Sequence, residues 1–129
     1  MNKKEFIKKL NSLNLDKSCY RIISGGVMLL YGLKDSTADI DIKVKPDYFE
    51  KLQKIFSFKK SSKYPNLYEI SDDIEVKVQD FDNDNTKIVD GYPVESLELT
   101  LQWMLEQNRP KDQEKIKIIQ EYLKNNKAS

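Results

Sequence analysis

The sequence predicts one α/β (α+β) domain in which a small mixed β-sheet is flanked by helices. Three observations predict it. The length, 129 residues, is that of a single domain. Apolar residues recur at helical spacing in some stretches and alternate with polar ones in others. Glycines and prolines fall at the joints between those stretches. A chain of this size buries roughly two thirds of the surface its unfolded form exposes, enough for one core without disulfides or a structural metal. Residues 1–129 are therefore expected to form one unit, with no internal repeat and no low-complexity segment.

The elements run in this order. Phe6, Ile7, Leu10 and Leu13 lie at helical spacing with lysines on the opposite face, which predicts an amphipathic first helix. Tyr20 to Ile23 is a short apolar run ending at Gly25-Gly26, a strand closed by a turn. Val27 to Tyr31 is apolar on all sides and reads as a short buried helix, with Gly32 where a C-terminal cap belongs. Asp39 to Val44 alternates charged and aliphatic residues, a strand buried on one face. Pro46 takes a first helical position ahead of the stripe Phe49, Leu52, Ile55 and Phe56. Leu67 to Ile70 and Ile74 to Val78 form a hairpin about Ser71-Asp72-Asp73. Lys87 to Val94 is a further strand interrupted by Gly91 and Pro93. Leu97, Leu101, Met104 and Leu105 define a helix, and Pro110 opens another that carries Ile116, Ile119 and Leu123. Lys124 to Ser129 reads as a polar, frayed tail.

Composition removes whole classes of chemistry. The 22 Lys and Arg against 21 Asp and Glu leave a formal charge of +1, no global footprint for nucleic acid. His is absent and Cys19 is alone, so a Cys/His zinc site, a His-based triad and an intramolecular disulfide are all excluded. Met1-Asn2-Lys3-Lys4 is basic, but Lys8, Lys9 and Asn11 interrupt the apolar residues beyond it, so no signal core is formed. No apolar run approaches the roughly 20 residues that cross a bilayer. No membrane partner and a reducing, cytoplasmic setting are expected.

The informative stretch is Ser24-Gly25-Gly26, twelve intervening residues, then Asp39-Ile40-Asp41-Ile42. Glycines between a strand and a helix let backbone N–H groups approach an anion, which makes a phosphate seat. Residues two apart on a strand share a face, so Asp39 and Asp41 present both carboxylates one way while Ile40 and Ile42 face the core. Two such charges are costly side by side unless a cation lies between them, and oxygen-ligated Mg²⁺ suits that demand. Either part alone is also what a plain turn or a solvated strand face looks like. Their conjunction points to phosphoryl or nucleotidyl transfer.

Gly25-Gly26 followed by Lys34-Asp35-Ser36-Thr37-Ala38-Asp39-Ile40-Asp41-Ile42 resembles the signature of the nucleotidyltransferase superfamily related to DNA polymerase β. The likeness is greatest to a small bacterial branch containing lincosamide nucleotidyltransferases and AbiEii-type toxins of toxin–antitoxin systems. Arg109-Pro110-Lys111-Asp112 is similar to that branch's late Arg-Pro-Lys-Asp motif. The similarity spans residues 20 to 120, nearly the whole chain. It implies the nucleotidyltransferase fold, with C-terminal helices over 96–124 packed on the sheet domain. It implies that Asp39 and Asp41 hold two Mg²⁺ ions, with Glu75 as the third carboxylate and Asp73 in reserve. Ser24, Gly25 and Gly26 would cradle the triphosphate, and Lys34 stands where the branch has Arg, keeping the charge without its bidentate fork. Thr37 is assigned either to the phosphates or to turn hydrogen bonding, and Lys111 either to a phosphate or to a first-turn ion pair with Asp112.

The implied reaction moves a nucleoside monophosphate from an NTP to a hydroxyl of an antibiotic-like small molecule or an RNA end. The alternative is a catalytically silent module of the same fold that binds nucleotide or a toxin–antitoxin partner. The short chain leaves little room for an acceptor domain, so a homodimer is expected. Other motifs carry weaker signals. Asp80-Phe81-Asp82-Asn83-Asp84-Asn85-Thr86 opens like a calcium loop, but Gly is missing at the sixth position and Gly91 takes the place of the twelfth-position Glu, which favours a solvated loop. Tyr64, Tyr68, Tyr92 and Trp103 offer rings for stacking, with core packing favoured for Trp103. Lysines 51, 54, 59, 60 and 63 would attract RNA or simply solvate a helix face.

Overall fold

Alternation in β2 (Ile40–Val44) sets the architecture: Ile40, Ile42 and Val44 are buried, while Asp41 and Lys43 between them stay partly open. The register carries that pattern to its neighbours. Ile42 pairs with Ile22 of β1 (Tyr20–Ile22) and with Val76 of β5 (Ile74–Val78), and Asp41 pairs with Glu75. One sheet face is thus aliphatic and the other carries charge. The computed structural model describes residues 1–126, and the expected tail beyond Asn126 lies outside the described residues.

The sheet has seven strands in the order β3-β4-β5-β2-β1-β7-β6. The β2–β5 and β1–β7 pairs are parallel and the others antiparallel, so the sheet is mixed, as expected. Among the described residues five α-helices accompany it. In α1 (Lys3–Ser12) Asn2 and Glu5 form a reciprocal capping box, and Phe6 and Leu10 are buried. α2 (Gly25–Leu30) begins at the glycine pair itself and ends in a turn where Gly32 has φ +76°, the capping role expected of it. The core joins these helices to Ile22, Ile40, Ile42, Val44, Val76 and Val94.

Several expected boundaries move. Strand β2 starts at Ile40, leaving Asp39 just ahead of it. α3 (Pro46–Leu52) is one turn shorter than its stripe suggested, and Ile55 is 73% exposed. A two-residue strand, β3 (Lys59–Lys60), comes next and pairs with β4 (Leu67–Ser71). The 87–94 region is two strands, β6 (Thr86–Val89) and β7 (Tyr92–Glu95). Asp90 (φ 52°) and Gly91 (φ 84°) form the turn between them, so Gly91 makes a hairpin instead of breaking a strand. α4 (Leu97–Gln107) is capped by the Ser96 side chain on the Leu99 amide, and its Leu105 is half exposed, outside the stripe expected for it. A 3-10 turn over Pro110–Asp112 leads into α5 (Gln113–Asn125), so Lys124 and Asn125 are helical. Phe49, Phe58 and Tyr68 stack together, which assigns Tyr68 to packing. No described helix is long and apolar enough to cross a membrane.

Candidate active site

Asp41 and Glu75 are Cα partners on adjacent parallel strands, and Glu75 in turn is opposite Glu69 of β4, itself opposite Lys59. Partners in register share a face, so three carboxylates lie in a row across β4, β5 and β2. Asp39 precedes β2 and adds a fourth negative charge that Asp41 feels. Burial, then Glu75, then Asp39 push the Asp41 carboxyl up to about 7, while Lys63 and Lys111 pull it back. Among the described residues no side chain donates a hydrogen bond or an ion pair to Asp39 or Asp41, whereas Glu75 meets Lys63 at 3.8 Å. Like charges packed this way are destabilising, and the lysines around them offset the cost only in part.

In kind and in charge these oxygens suit a hard divalent cation. As they stand, no three acidic or Cys side chains among the described residues are placed to hold a metal ion. Glu75 is the member with a cationic partner, Lys63 at 3.8 Å, and that ion pair would have to open for Glu75 to join a metal-holding set. The reserve candidate Asp73 stands apart from this row. It sits in the β4–β5 turn, pairs with Lys9 and accepts from Ser71, and those hydrogen bonds hold its carboxyl below the usual range.

The glycine turn divides into two roles. Ser24 precedes α2 with φ 59° and ψ −135°, backbone territory that favours glycine, and its side chain makes no capping bond. A Cβ on Gly25 would lie 2.7 Å from Thr37 Oγ1 and 3.6 Å from Lys34 Nζ, so glycine there permits close approach of the loop that leads to Asp39. A Cβ on Gly26 would collide with Ile22 Cγ2 at 2.6 Å and Phe6 Cζ at 2.8 Å. Gly26 is buried, and the reason for glycine there is packing of α2 against β1 and α1. Thr37 is almost fully buried. Its backbone N–H donates to the Met1 carbonyl at 2.9 Å and its carbonyl accepts from the Met1 amine at 2.7 Å, so the start of the chain straps this loop.

The late motif is mostly structural. Asp112 is fully buried, accepts from Arg109 Nε at 2.6 Å and lies 3.7 Å from Lys115; a Lys111–Asp112 pair, one of the two alternatives for Lys111, is absent among the described residues. Arg109 also stacks on Trp103 at 4.6 Å, which accounts for that ring without a base. Lys111 is exposed, and its charge reaches Asp41. Sequence reasoning missed Glu69, Lys115 and Met1. The alternation of β4 would have found Glu69; the strap from Met1 left no local signal. In the 80–86 loop Asp82 accepts from the Asp84 amide, the solvated turn expected in place of a calcium loop.

No protein-family model matches the sequence, and no curated protein does. Solved structures do match by shape. A candidate nucleotidyltransferase of Thermotoga maritima superposes with a TM-score of 0.62 at 21% identity, over 97% of this chain and 96% of that one. The aminoglycoside nucleotidyltransferase ANT(2")-Ia, solved with adenylyl-2"-tobramycin, gives 0.56 at 15% identity over 92% and 85%. The chain has the nucleotidyltransferase fold.

Proposed function

We propose that this protein is a metal-dependent nucleotidyltransferase that moves a nucleoside monophosphate from an NTP to a hydroxyl of a small molecule or an RNA end. The observation that carries the reading is the concentration of acidic side chains at Asp39, Asp41 and Glu75, of which Asp39 and Asp41 receive no hydrogen bond or ion pair among the described residues, beside a strained turn at Ser24-Gly25 that faces Lys34 and Thr37. Structural polar groups are ordinarily paired, and a cluster left at a cost in stability is the mark of a site.

Asp39, Asp41 and Glu75 would hold Mg²⁺, which when bound supplies charge neutralisation at the α-phosphate and orients it for in-line attack. The chain's own residues do the rest. Amides of the Ser24–Gly25 turn and the Lys34 ammonium bind the phosphate oxygens, and Thr37 fixes the loop that carries Asp39. The acceptor oxygen bonds to the α-phosphorus as the bond to the pyrophosphate oxygen breaks. Glu75, freed from Lys63, takes the hydroxyl proton. Lys111 lies where negative charge accumulates near Asp41.

The test incubates the chain with each labelled NTP and Mg²⁺ against two acceptor pools, aminoglycoside and lincosamide antibiotics or bulk tRNA. The ANT(2")-Ia likeness makes an aminoglycoside hydroxyl the first probe. Product that disappears in Asp39→Asn/Asp41→Asn supports the enzyme. NTP-dependent thermal stabilisation with no product in either pool supports a silent nucleotide-binding module, which the Lys63-held Glu75 favours.

A further inference from the structure

The registers that align the acids also align a row of cations beside them. Lys43 and Lys77 are Cα partners across β2 and β5, and Arg21 of β1 is the other partner of Lys43, so all three share the polar face with Asp41 and Glu75. Lys43 and Lys77 stand two residues beyond Asp41 and Glu75, about 7 Å at the usual strand rise. One carboxylate answers three cations. Glu95 takes Arg21 at 3.1 Å and Lys43 at 3.6 Å. Lys77 is opposite Leu67 of β4 and has no hydrogen bond or ion pair among the described residues. Burial lowers the Lys43 pKa against the pull of Glu95, Arg21 and Lys77 add to the lowering, and an anion seated between Lys43 and Lys77 would relieve it.

The basic row has a defined side. β1 runs antiparallel to β2, with Ile22 opposite Ile42 and the Ile23 N–H donating to the Asp41 carbonyl at 3.0 Å, so the Ser24–Gly25 turn follows at the Asp39 end of β2. Lys43 and Lys77 lie past Asp41 and Glu75 in the opposite direction. In-line displacement sets the attacking and leaving oxygens on opposite sides of the phosphorus. With the pyrophosphate leaving at the glycine turn, the acceptor arrives over the basic row.

Resting on the nucleotidyl-transfer reading, we infer that Lys77 and Lys43 form the acceptor subsite, and that it takes a hydroxyl carried beside a phosphate, as on the terminal nucleotide of an RNA strand or on a sugar phosphate. The acceptor's phosphate sits between the two lysines while its hydroxyl reaches Asp41 and Glu75. A polycationic acceptor such as an aminoglycoside meets like charge there. Lys77 sets the specificity, because it is the cation of the row that the fold leaves unpaired, whereas Lys43 is shared with Glu95.

The probes are a short oligoribonucleotide with a free 3′ hydroxyl, ribose 5-phosphate and an aminoglycoside. Each is measured on the full chain in two ways, as acceptor with labelled NTP and Mg²⁺ and by calorimetric binding without NTP. One of the phosphorylated probes is expected to exceed the aminoglycoside at least about tenfold in kcat/KM, and which of the two does so names the source of the phosphate. Lys77→Ala should raise KM for that acceptor about tenfold with KM for NTP unchanged, the loss of one charge-assisted contact. Lys77→Arg restores it to within about threefold, Lys77→Glu moves the preference toward the aminoglycoside, and Lys87→Ala, exposed on β6, changes nothing. Should Lys77→Ala fold poorly, Lys77→Gln carries the same test. Acceptor KM and binding that are the same in the Lys77 variants as in Lys87→Ala, or transfer to the aminoglycoside alone, overturn the inference and leave the activity standing. A phosphorylated probe bound through Lys77 by a protein that transfers nothing would instead sink the activity and leave the anionic subsite.

Discussion

Two charged clusters share the polar face of the sheet, two residues apart along β2, and they are built on opposite terms. Around Glu95 opposite charges meet directly. Arg21 meets it at 3.1 Å, Lys43 at 3.6 Å, and the Thr100 hydroxyl donates to its other oxygen at 3.0 Å. Arg21 also lies over the Phe81 ring, and its Nε is the one buried side-chain nitrogen among the described residues left without a hydrogen-bond partner. Around Asp41 the acids Glu75 and Asp39 outweigh the pull of Lys63 and Lys111, and Asp41 itself has no hydrogen-bonded or ion-paired side chain among the described residues. The first cluster ties β1, β2, β7 and α4 together; the second costs stability and is kept. Pairing is what the fold needs, and its omission is what chemistry needs.

The sharpest way to break this comparison is to remove one carboxylate from each cluster. Asp41→Asn should lower transfer by at least about a thousandfold, roughly 4 kcal/mol at the transition state, while making the fold more stable. Glu95→Ala should do the reverse. It strands Arg21 and Lys43 as buried cations and is expected to cost about 3–5 kcal/mol in urea unfolding, while folded molecules keep their nucleotide affinity. Destabilisation by Asp41→Asn, or stabilisation by Glu95→Ala, would show that the two clusters had been assigned the wrong way round.

The pH profile sharpens it. Asp41 has its carboxyl raised from 3.8 to about 7 in the folded chain. The folded state therefore holds a proton that the unfolded state has lost between those values, and stability falls as pH rises through that window. Below it the penalty vanishes; above it the full penalty, on the order of 2 kcal/mol after solvent screening, is present. Asp41→Asn should remove that slope. At pH 7.5, Mg²⁺ at a hundred times its dissociation constant should return about 2.7 kcal/mol to wild type and much less to the variant, measured by thermal unfolding.

The contrast also explains what was legible in the sequence. The alternation of Asp39 to Val44 and of Ile74 to Val78 fixes which side chains share a face, because a period of two is local. It brought Asp41 and Glu75 to one surface, and the parallel register put them opposite each other. Neutralisation is not local. Lys9 lies 64 residues before Asp73 and Glu95 lies 74 after Arg21, so no pattern along the chain could show which acids are taken. Gly26 was legible as glycine but not as packing, since Phe6 and Ile22 meet it only in the folded chain. The hairpin at Asp90-Gly91 was hidden because a glycine inside an apolar run reads as a break, when a turn needing positive φ explains it.

A smaller effect is expected at the turn. Ser24→Gly relieves a backbone that serine rarely adopts, so unfolding stability should rise by about 1 kcal/mol, the low end of such strain after glycine's own entropy cost. Nucleotide KM should rise several-fold in the same variant, because the turn is no longer held in its binding shape. A stability gain with KM unchanged would make the strain a matter of connectivity alone.

The smallest effect separates Asp73 from Glu75. Both are acidic, both flank the same hairpin, and from sequence either serves as the third carboxylate. Asp73 is held by Lys9 at a site where both side chains are a third or more open to solvent, 33% and 39%, so Asp73→Asn should cost about 0.2–1 kcal/mol and less at high salt. Transfer by that variant should stay within about twofold of wild type, since Asp73 is not among the acids felt at Asp41, whereas Glu75 and Asp39 are. Glu75→Gln should lose activity on the scale of Asp41→Asn. If labelled-nucleotide assays rank the two the other way, the third carboxylate lies in the turn, the Lys9 pair opens during turnover, and the row across β4, β5 and β2 is an accident of register.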